Sequence, residues 1–306
     1  MLRLFSAKRD RRYYKNLLVF SGSVILVASI SLYFGLPLLE VYNAMHPHRF
    51  PVGSVSPADL DLDYIDVALP TQDNLTLHGW YIPSNNRAAV ILVHASNGNR
   101  TGTIYHAALL AKHGYGVLLS DARTQGESEG DLYAMGWEDH LDVFAALDYL
   151  RQRPEVDPER IGVLGLSVGA KTALYAATQT DEIAGVVAEG TRWRTFEDLL
   201  IAAKPDWYIW LPAQWVAFKY VEIASGVRNP MPLRQAVSQM SPTPLLLITA
   251  GGEMATSQAY FDAAREPKEL WVRDESGHQI DALFDQPEEY ERRVVGFLDQ
   301  FLLQDN

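Results

Sequence analysis

The residues of this sequence best suited to catalysis surround a serine, Ser167, in the run Gly165-Leu166-Ser167-Val168-Gly169. Apolar residues 161–164 precede the run, and small residues that favour a helix follow it. A strand that turns sharply into a helix can expose a serine hydroxyl at its apex if small residues stand two positions before and after it. A glycine-rich turn with an incidental serine has the same five residues, but the flanking strand and helix patterns favour a nucleophile. We therefore predict that Ser167 is a nucleophile held between a strand and a helix.

The predicted nucleophile needs two partners. A serine hydroxyl is a weak nucleophile at neutral pH, so it requires an adjacent base that a third group orients. The single histidine after Ser167 in the chain is His278, which follows the last predicted strand and is the predicted base. Glu253, directly after a predicted strand at residues 245–250, is the preferred orienting acid. Glu189, at the end of the preceding predicted strand, is the alternative acid.

A tetrahedral intermediate on the serine also needs backbone N–H groups that point at its oxyanion. Val168 is expected to supply one, because it begins the predicted helix, whose dipole favours negative charge there. Ser96 is expected to supply the second, from the loop His94-Ala95-Ser96-Asn97-Gly98-Asn99-Arg100 that follows a predicted strand. We expect His94 to brace this loop rather than to act as a base.

Strand and helix signals alternate along the chain from about residue 62. Continuous apolar runs predict strands buried on both faces, and amphipathic stretches between them predict helices. This alternation is typical of an α/β fold in which a mostly parallel sheet has helices on both faces. The predicted strands are at residues 64–69, 75–82, 88–93, 115–120, 161–164, 183–188, 245–250 and 270–273, and the predicted helices are at residues 103–113, 137–151 and 290–303, with a further helix after Ser167.

The N-terminal region predicts a membrane anchor. Residues 17–39 contain no charged side chain, and as a helix they would be about 34 Å long, enough to cross a bilayer. The leader, residues 1–16, has a net charge of +5, and such cationic flanks stay in the cytoplasm. The apolar stretch is longer than that of a cleaved signal peptide. We therefore expect an uncleaved transmembrane helix, a proline-containing linker at residues 40–61, and a domain at residues 62–306 outside the cytoplasm.

Composition narrows the classes of function. The 306-residue chain has a net charge of −12, and the basic leader leaves −17 for the remainder, which argues against a nucleic-acid partner. The sequence has no cysteine, which excludes disulfides, zinc–thiolate sites and a cysteine nucleophile. His46 and His48 lie in the predicted linker, where solvated histidines are more common than a metal pair. We expect no metal and no organic cofactor.

These motifs resemble the α/β-hydrolase superfamily, in particular its dienelactone-hydrolase-like and acyl-transferase-like serine hydrolases. The resemblance covers about residues 64–303 and implies an α/β-hydrolase fold, the chain order serine, acid, histidine, and structural roles for Arg123 and Ser128. The segments that carry the resemblance are His78-Gly79-Trp80-Tyr81-Ile82-Pro83, the loop at residues 94–100, Asp121-Ala122-Arg123-Thr124-Gln125-Gly126-Glu127-Ser128, the turn around Ser167, and Gly277-His278.

The sequence departs from the family pattern near the predicted oxyanion loop. Members usually have His-Gly where this chain has His94-Ala95, and Arg-Gly-His-Gly where it has residues 123–126. The family often has aspartate in the acid loop, where Glu253 is a tolerated variant. A shift of one residue in the alignment of that loop would put Met254 at the acid position and would favour Glu189.

Residues 191–240 form an insert where this superfamily places a lid, and they contain four of the seven tryptophans, Trp193, Trp207, Trp210 and Trp215. Three roles stay open for these rings: lining an apolar acyl pocket, packing the lid onto the domain, or lying against the bilayer surface. The expected function is a membrane-anchored serine hydrolase that cleaves a small-molecule ester or thioester through an acyl-enzyme on Ser167. The alternatives are a catalytically silent binding module, which the altered loops motivate, and a serine peptidase that uses the same triad.

Overall fold

The computed structural model of the protein describes residues 11–240, 242–273 and 280–304. Its strands within these ranges are β1 Ile65–Pro70, β2 Thr76–Ile82, β3 Ala89–Val93, β4 Gly116–Ser120, β5 Ile161–Leu166, β6 Gly185–Glu189, β7 Leu245–Ala250 and β8 Lys268–Arg273. They form one sheet in the order β1-β2-β4-β3-β5-β6-β7-β8. The pairs β1–β2 and β2–β4 are antiparallel, and every other pair of neighbours is parallel. The predicted α/β fold with a mostly parallel sheet is confirmed.

Helices cover both faces of the sheet, which is why β5 and β7 are buried along their whole length. The helices are α1 Arg11–Met45, α2 Ile104–Lys112, α3 His140–Leu150, α4 Val168–Ala177, α5 Phe196–Ala202, α6 Leu211–Ser225, α7 Leu233–Val237, α8 Met254–Ala263 and α9 Ala282–Asp285. A closing helical segment, residues 287–303, joins the α-helical turns Pro287–Tyr290 and Gly296–Leu298 to the π-helical turns Glu291–Val295 and Asp299–Leu303. One face of the sheet packs against α3, α4 and α8, and the other packs against α2 and the closing segment.

Two predicted helix boundaries in the domain that follows α1 need correction. α3 begins three residues later than predicted, because Met135 and Gly136 adopt positive φ and place Trp137 in a turn. The Trp137 ring is buried there, and its Nε1 donates to the Arg194 carbonyl at 3.1 Å. The closing segment begins earlier than predicted, at Pro287, because proline is well suited to the first position of a helix.

The lid lies between β6 and β7 and consists of α5, a 3₁₀ turn at Pro205–Trp210, α6 and α7. A capping box begins α5: the Thr195 hydroxyl accepts from the Asp198 amide at 3.2 Å, and the Asp198 carboxylate accepts from the Thr195 amide. The same carboxylate accepts from the Leu233 amide at 2.9 Å. Asp198 therefore ties the beginning of the lid to its end.

The N-terminal helix α1 is long and apolar enough, by length and composition, to cross a membrane. It continues six residues beyond the predicted span, to Met45, so the first part of the predicted linker is helical. Met45 is buried, and its carbonyl accepts from the Tyr133 amide at 2.9 Å. The chain after α1 also contacts the domain, since the Asn99 side chain donates to the carbonyls of Phe50 and Pro51. The predicted linker is thus docked on the domain rather than free of it.

Candidate active site

The turn between β5 and α4 holds Ser167 in a backbone conformation that few residues adopt, with φ 55° and ψ −108°. Its two glycines are required by close approach. A Cβ atom on Gly165 would lie 2.1 Å from the Gly169 carbonyl oxygen, and one on Gly169 would lie 2.1 Å from the Val93 carbonyl oxygen. The Ser167 amide donates to the Glu189 carbonyl at 2.8 Å, which joins the turn to the end of β6. This is the arrangement that the sequence predicted around Ser167.

The two predicted oxyanion donors line one cavity of about 130 Å³. Val168 is the first residue of α4, and Ser96 lies in the loop after β3. In the described part of the chain neither amide donates a backbone hydrogen bond, so both N–H groups are available to a ligand. The dipole of α4 adds to the attraction for negative charge beside Val168.

His94 braces the loop that carries Ser96. It is buried, its Nε2 accepts from the Ala122 amide at 3.0 Å, and its Nδ1 lies 2.7 Å from the Ala95 carbonyl oxygen. These contacts fit a neutral imidazole with its proton on Nδ1. Burial lowers the pKa of His94, in keeping with the neutral form. His94 therefore links the loops after β3 and β4, as expected.

Glu189, the alternative acid, is completely buried at the end of β6. Its Oε1 accepts from the Ala282 amide at 3.0 Å, and the buried Tyr290 hydroxyl lies close to the carboxylate. Burial raises the pKa of Glu189 to about 8, with the Ala282 hydrogen bond and the charge of Arg273 acting against the rise. The predicted base, His278, lies outside the described residues, in the stretch 274–279. Arg273 directly precedes that stretch, and its charge acts on the Glu189 carboxylate.

Glu253, the preferred acid, lies in a 3₁₀ turn after β7 and has a different environment. Its Oε1 is 3.3 Å from Nε of Arg192, at the base of the lid. The Arg192 guanidinium also lies over the Trp193 ring, 4.4 Å from its centre. Burial raises the pKa of Glu253 to about 7, and Arg192 acts in the opposite direction. Met254, the residue that an alignment shift would put at the acid position, is exposed.

Sequence reasoning missed one side chain at the site, Lys171. It lies one helical turn after Ser167 and shares the small cavity with Ser96 and Val168. Its Nζ donates to the Trp193 carbonyl at 3.3 Å, and burial lowers its pKa to about 8. The sequence held one signal for Lys171: it is four residues after Ser167, and residues four apart on a helix share a face.

The departures from the family pattern also have visible roles. Gln125 Oε1 accepts from the Gly98 amide at 3.1 Å, which holds the loop that carries Ser96. Arg123, expected to be structural, is buried and pairs with Asp142 at 2.8 Å. Ser128, also expected to be structural, donates to the Asp121 carbonyl at 2.7 Å. Among the residues that depart from the family pattern, Gln125 therefore supports the loop rather than distorts it.

Comparison with known proteins places this geometry in a family. A profile of the X-Pro dipeptidyl-peptidase (S15) family matches residues 67–221. The uncharacterized protein YfhR of Salmonella typhimurium is 32% identical over 175 residues, which cover 55% of this chain and 56% of the relative. The uncharacterized protein Rv2307c of Mycobacterium tuberculosis is 30% identical over 231 residues, 72% of this chain and 74% of that protein.

A solved structure gives a similar result for the fold. The Pyrococcus furiosus esterase Pf2001 superposes with a TM-score of 0.69 at 28% identity, and the match covers 84% of this chain and 98% of the esterase. The similarity therefore includes nearly all of the esterase, whereas the match to YfhR spans about half of that relative's length.

Proposed function

Because the chain belongs to the X-Pro dipeptidyl-peptidase (S15) family, within the α/β-hydrolase superfamily, we propose that it is a serine hydrolase that cleaves carboxylic ester or thioester bonds through an acyl-enzyme on Ser167. The observation that carries the proposal is the turn between β5 and α4. Its serine has a positive φ, and its two glycines leave no room for a side chain. Such a strained turn persists only where the surrounding structure holds it in place, and strain of this kind is concentrated at active sites.

The proposed reaction proceeds in two steps. Ser167 Oγ attacks the substrate carbonyl carbon while His278 accepts the hydroxyl proton, and the Val168 and Ser96 amides donate to the oxyanion that forms. His278 then gives the proton to the leaving alcohol or thiol, which departs and leaves the acyl group on Ser167. Water, deprotonated by His278, attacks the acyl carbonyl, and His278 returns that proton to Ser167 Oγ as the bond to the acyl carbon breaks and the carboxylic acid is released. The residues assigned to this chemistry require no metal and no organic cofactor.

The geometry supports Glu189 rather than Glu253 as the acid that orients His278. The Glu189 carboxylate accepts from the Ala282 amide, four residues after His278. Glu253 instead pairs with Arg192 at the base of the lid. An imidazolium beside Glu189 would favour its ionised form, because an opposite charge lowers the pKa of a carboxyl group. We therefore assign the orienting role to Glu189 and an ion-pairing role to Glu253.

Two other functions use the same fold. The family description names a peptidase, which favours a serine peptidase as the second candidate, with the same Ser167 and His278. The silent binding module is less well supported, because Gln125 holds the oxyanion loop in place and both proposed oxyanion amides are available.

We propose that α1 anchors the enzyme in a membrane, with the catalytic domain outside the cytoplasm. The hydropathy and length of α1 support an anchor, and the basic leader supports a cytoplasmic N-terminus. The catalytic domain would then act on substrates at or near the outer surface of that membrane.

A single experiment tests chemistry and topology together. Spheroplasts that express the full chain, or its Ser167→Ala variant, are treated with a fluorophosphonate that cannot cross membranes, before and after lysis. We expect labelling of the wild type without lysis and none of the variant, because the probe reacts with a serine activated as a nucleophile. Labelling only after lysis would contradict the orientation. A folded wild-type protein that is never labelled would contradict the hydrolase and favour the binding module.

A further inference from the structure

We propose that the substrate is a long-chain acyl ester taken from the outer leaflet of the membrane, with its acyl chain lying between α1 and the lid. The inference rests on the proposed function, both the serine hydrolase and the membrane anchor. It arises from the way that α1 and the lid together enclose a cavity next to the predicted oxyanion donors.

The cavity between α1 and the lid has a volume of about 590 Å³. This volume falls within the range of about 300–1,000 Å³ that is usual for small-molecule sites. The residues of its walls are mostly apolar, and α1 contributes one wall while the 3₁₀ turn and α6 contribute the other. Representative wall residues are Pro37, Val41 and Ala44 on α1 and Trp207, Trp210 and Phe218 on the lid.

The lid side of this cavity lies beside the apolar part of α1, because Trp210 lines the cavity and contacts Tyr33. The Tyr33 ring stacks on the Trp210 ring with their centres 5.5 Å apart and an angle of 16°, and the Tyr33 hydroxyl donates to the Ile209 carbonyl. Tyr33 is six residues before Leu39, the end of the charge-free stretch. At 1.5 Å per residue, the contact is about 9 Å inside that end. If α1 spans the membrane, the turn at residues 205–210 lies in the outer leaflet.

The surface of the lid around this contact suits a bilayer better than water. Three neighbouring side chains are widely exposed: Trp207 at 44%, Tyr208 at 58% and Ile209 at 67%. Rings that served only to pack the lid onto the domain would be buried. Aromatic residues concentrate at the interface between lipid and water, and an exposed apolar patch on a soluble surface is uncommon. The lid side of the cavity, with Trp207 and Trp210 in its wall, therefore lies where acyl chains are present.

The same cavity adjoins the site of chemistry. Ala44 and Met135 line both the larger cavity and the small cavity that contains Ser96 and Val168. An acyl chain in the larger cavity can thus place its ester carbonyl beside the two amides. The small cavity has both apolar and polar walls, and its polar side chains, Asn97, Gln125 and Lys171, can accept the alcohol part of a lipid ester.

The test measures chain-length preference with the full-length protein in phosphatidylcholine vesicles, using p-nitrophenyl butyrate and p-nitrophenyl dodecanoate as probes. Ala44→Phe narrows the boundary between the cavities, and Trp210→Ala removes part of the wall of the larger cavity. Trp215→Ala is the matched control, because Trp215 is as exposed as Trp210 (50% against 48%) but lines another part of the lid. Each variant is compared with wild type as the ratio of kcat/KM for dodecanoate to that for butyrate, which cancels effects common to both esters.

We expect Ala44→Phe and Trp210→Ala to lower this ratio at least tenfold, while Trp215→Ala changes it by less than about twofold. Burial of each methylene is worth about a fourfold gain in affinity, so losing contact with two or three methylenes suffices. An unchanged ratio in both lid-cavity variants would overturn the acyl site, provided that butyrate is still cleaved.

A binding measurement separates failure of this inference from failure of the proposed hydrolase. The Ser167→Ala protein in the same vesicles is irradiated with a photoreactive dodecanoyl ester, with and without Trp210→Ala. Attachment to residues 199–221 that depends on Trp210 would support the acyl site even if the wild type cleaved no ester. Equal attachment in the two proteins would overturn the site, whatever the result of fluorophosphonate labelling.

Discussion

The turn around Ser167 and the contact between the lid and α1 lie on opposite sides of the proposed substrate and are built in different ways. The turn is fixed by backbone sterics: Gly169 lies so close to the Val93 carbonyl that no side chain fits. The lid contact is formed by side chains, with Tyr33 stacked on Trp210, and much of its surface is exposed.

This difference separates two kinds of requirement. Chemistry at Ser167 needs atoms held within fractions of an ångström, which close backbone packing provides. Capture of a chain from a fluid bilayer needs apolar area and room to open, which loosely packed aromatic rings provide. Substitutions near the turn should therefore have large effects on every substrate, and substitutions at the lid contact should have small and selective effects.

The two buried glutamates give the largest expected contrast. Glu189→Gln should lower kcat about 10³–10⁴-fold on a short ester, because an amide cannot stabilise the imidazolium that forms on His278. Glu253→Gln should lower kcat less than about tenfold, since its carboxylate pairs with Arg192 on the lid side. The measurement is kcat for p-nitrophenyl butyrate with both full-length variants.

The pair is well matched, because each substitution is isosteric and replaces a buried carboxylate. Thermal unfolding of both variants in the same detergent shows whether a loss of activity comes from a loss of fold. A severe loss in Glu253→Gln with Glu189→Gln near wild type would reverse the assignment and restore the acid first preferred from the sequence.

The sequence alone did not decide which of these two glutamates orients His278. The turn around Ser167 was predictable, because its strand, its glycines and its helix are adjacent in the sequence and local sterics determine the conformation of the turn. The strands were predictable for a related reason: a run such as β7, buried on both faces, is apolar throughout. Which acid approaches His278 depends on Ala282 and Arg273, which are distant in sequence from Glu189 and give no local signal. The predicted role of His278 itself stays a prediction.

The boundary of α1 shows a second limit. The predicted span ended at Leu39, where charge-free residues end, but the helix continues to Met45. Apolarity reports where a segment can contact lipid, whereas helix continuation depends on backbone hydrogen bonds and propensity. The stacking partner of Trp210 was not predictable either, because a tryptophan-rich composition does not indicate which aromatic rings contact each other. Three roles were open for these rings, and the contact with Tyr33 supports two of them together, the acyl pocket and the bilayer surface.

Gly169→Ala should have the next largest effect. A Cβ atom there would lie 2.1 Å from the Val93 carbonyl oxygen and 2.9 Å from the His94 carbonyl oxygen, so the strand end before Ser96 must move. We expect a loss of about 1–3 kcal/mol in the free energy of unfolding. We also expect kcat to fall about 10²-fold or more as one oxyanion donor is displaced.

Gly252→Ala is the control for this glycine, because nothing lies within 4 Å of a Cβ atom at that position. It should leave the free energy of unfolding near that of the wild type and kcat within about twofold of the wild-type value. Urea unfolding and butyrate hydrolysis measure the two quantities. Wild-type behaviour in Gly169→Ala would show that the turn is not fixed by backbone contact, and the contrast between turn and lid would then fail.

Tyr33→Ala should have the smallest effect, and a selective one. A stacked aromatic pair is worth about 0.5–1.5 kcal/mol beyond burial, so its loss should raise the population of the open lid by roughly two- to tenfold. Hydrogen exchange of residues 205–225 in vesicles should become faster by that factor, while kcat for butyrate stays near the wild-type value.

Two further variants test this prediction. Tyr33→Phe keeps the ring and loses only the hydroxyl that donates to Ile209, so it should show a smaller change. Tyr42→Ala is the control, since its ring contacts His46, the residue directly after α1, instead of the lid. Equal exchange in Tyr33→Ala and Tyr42→Ala would mean that α1 does not hold the lid, and a large fall in butyrate kcat would mean that the lid contact positions Ser167 as strictly as the backbone does.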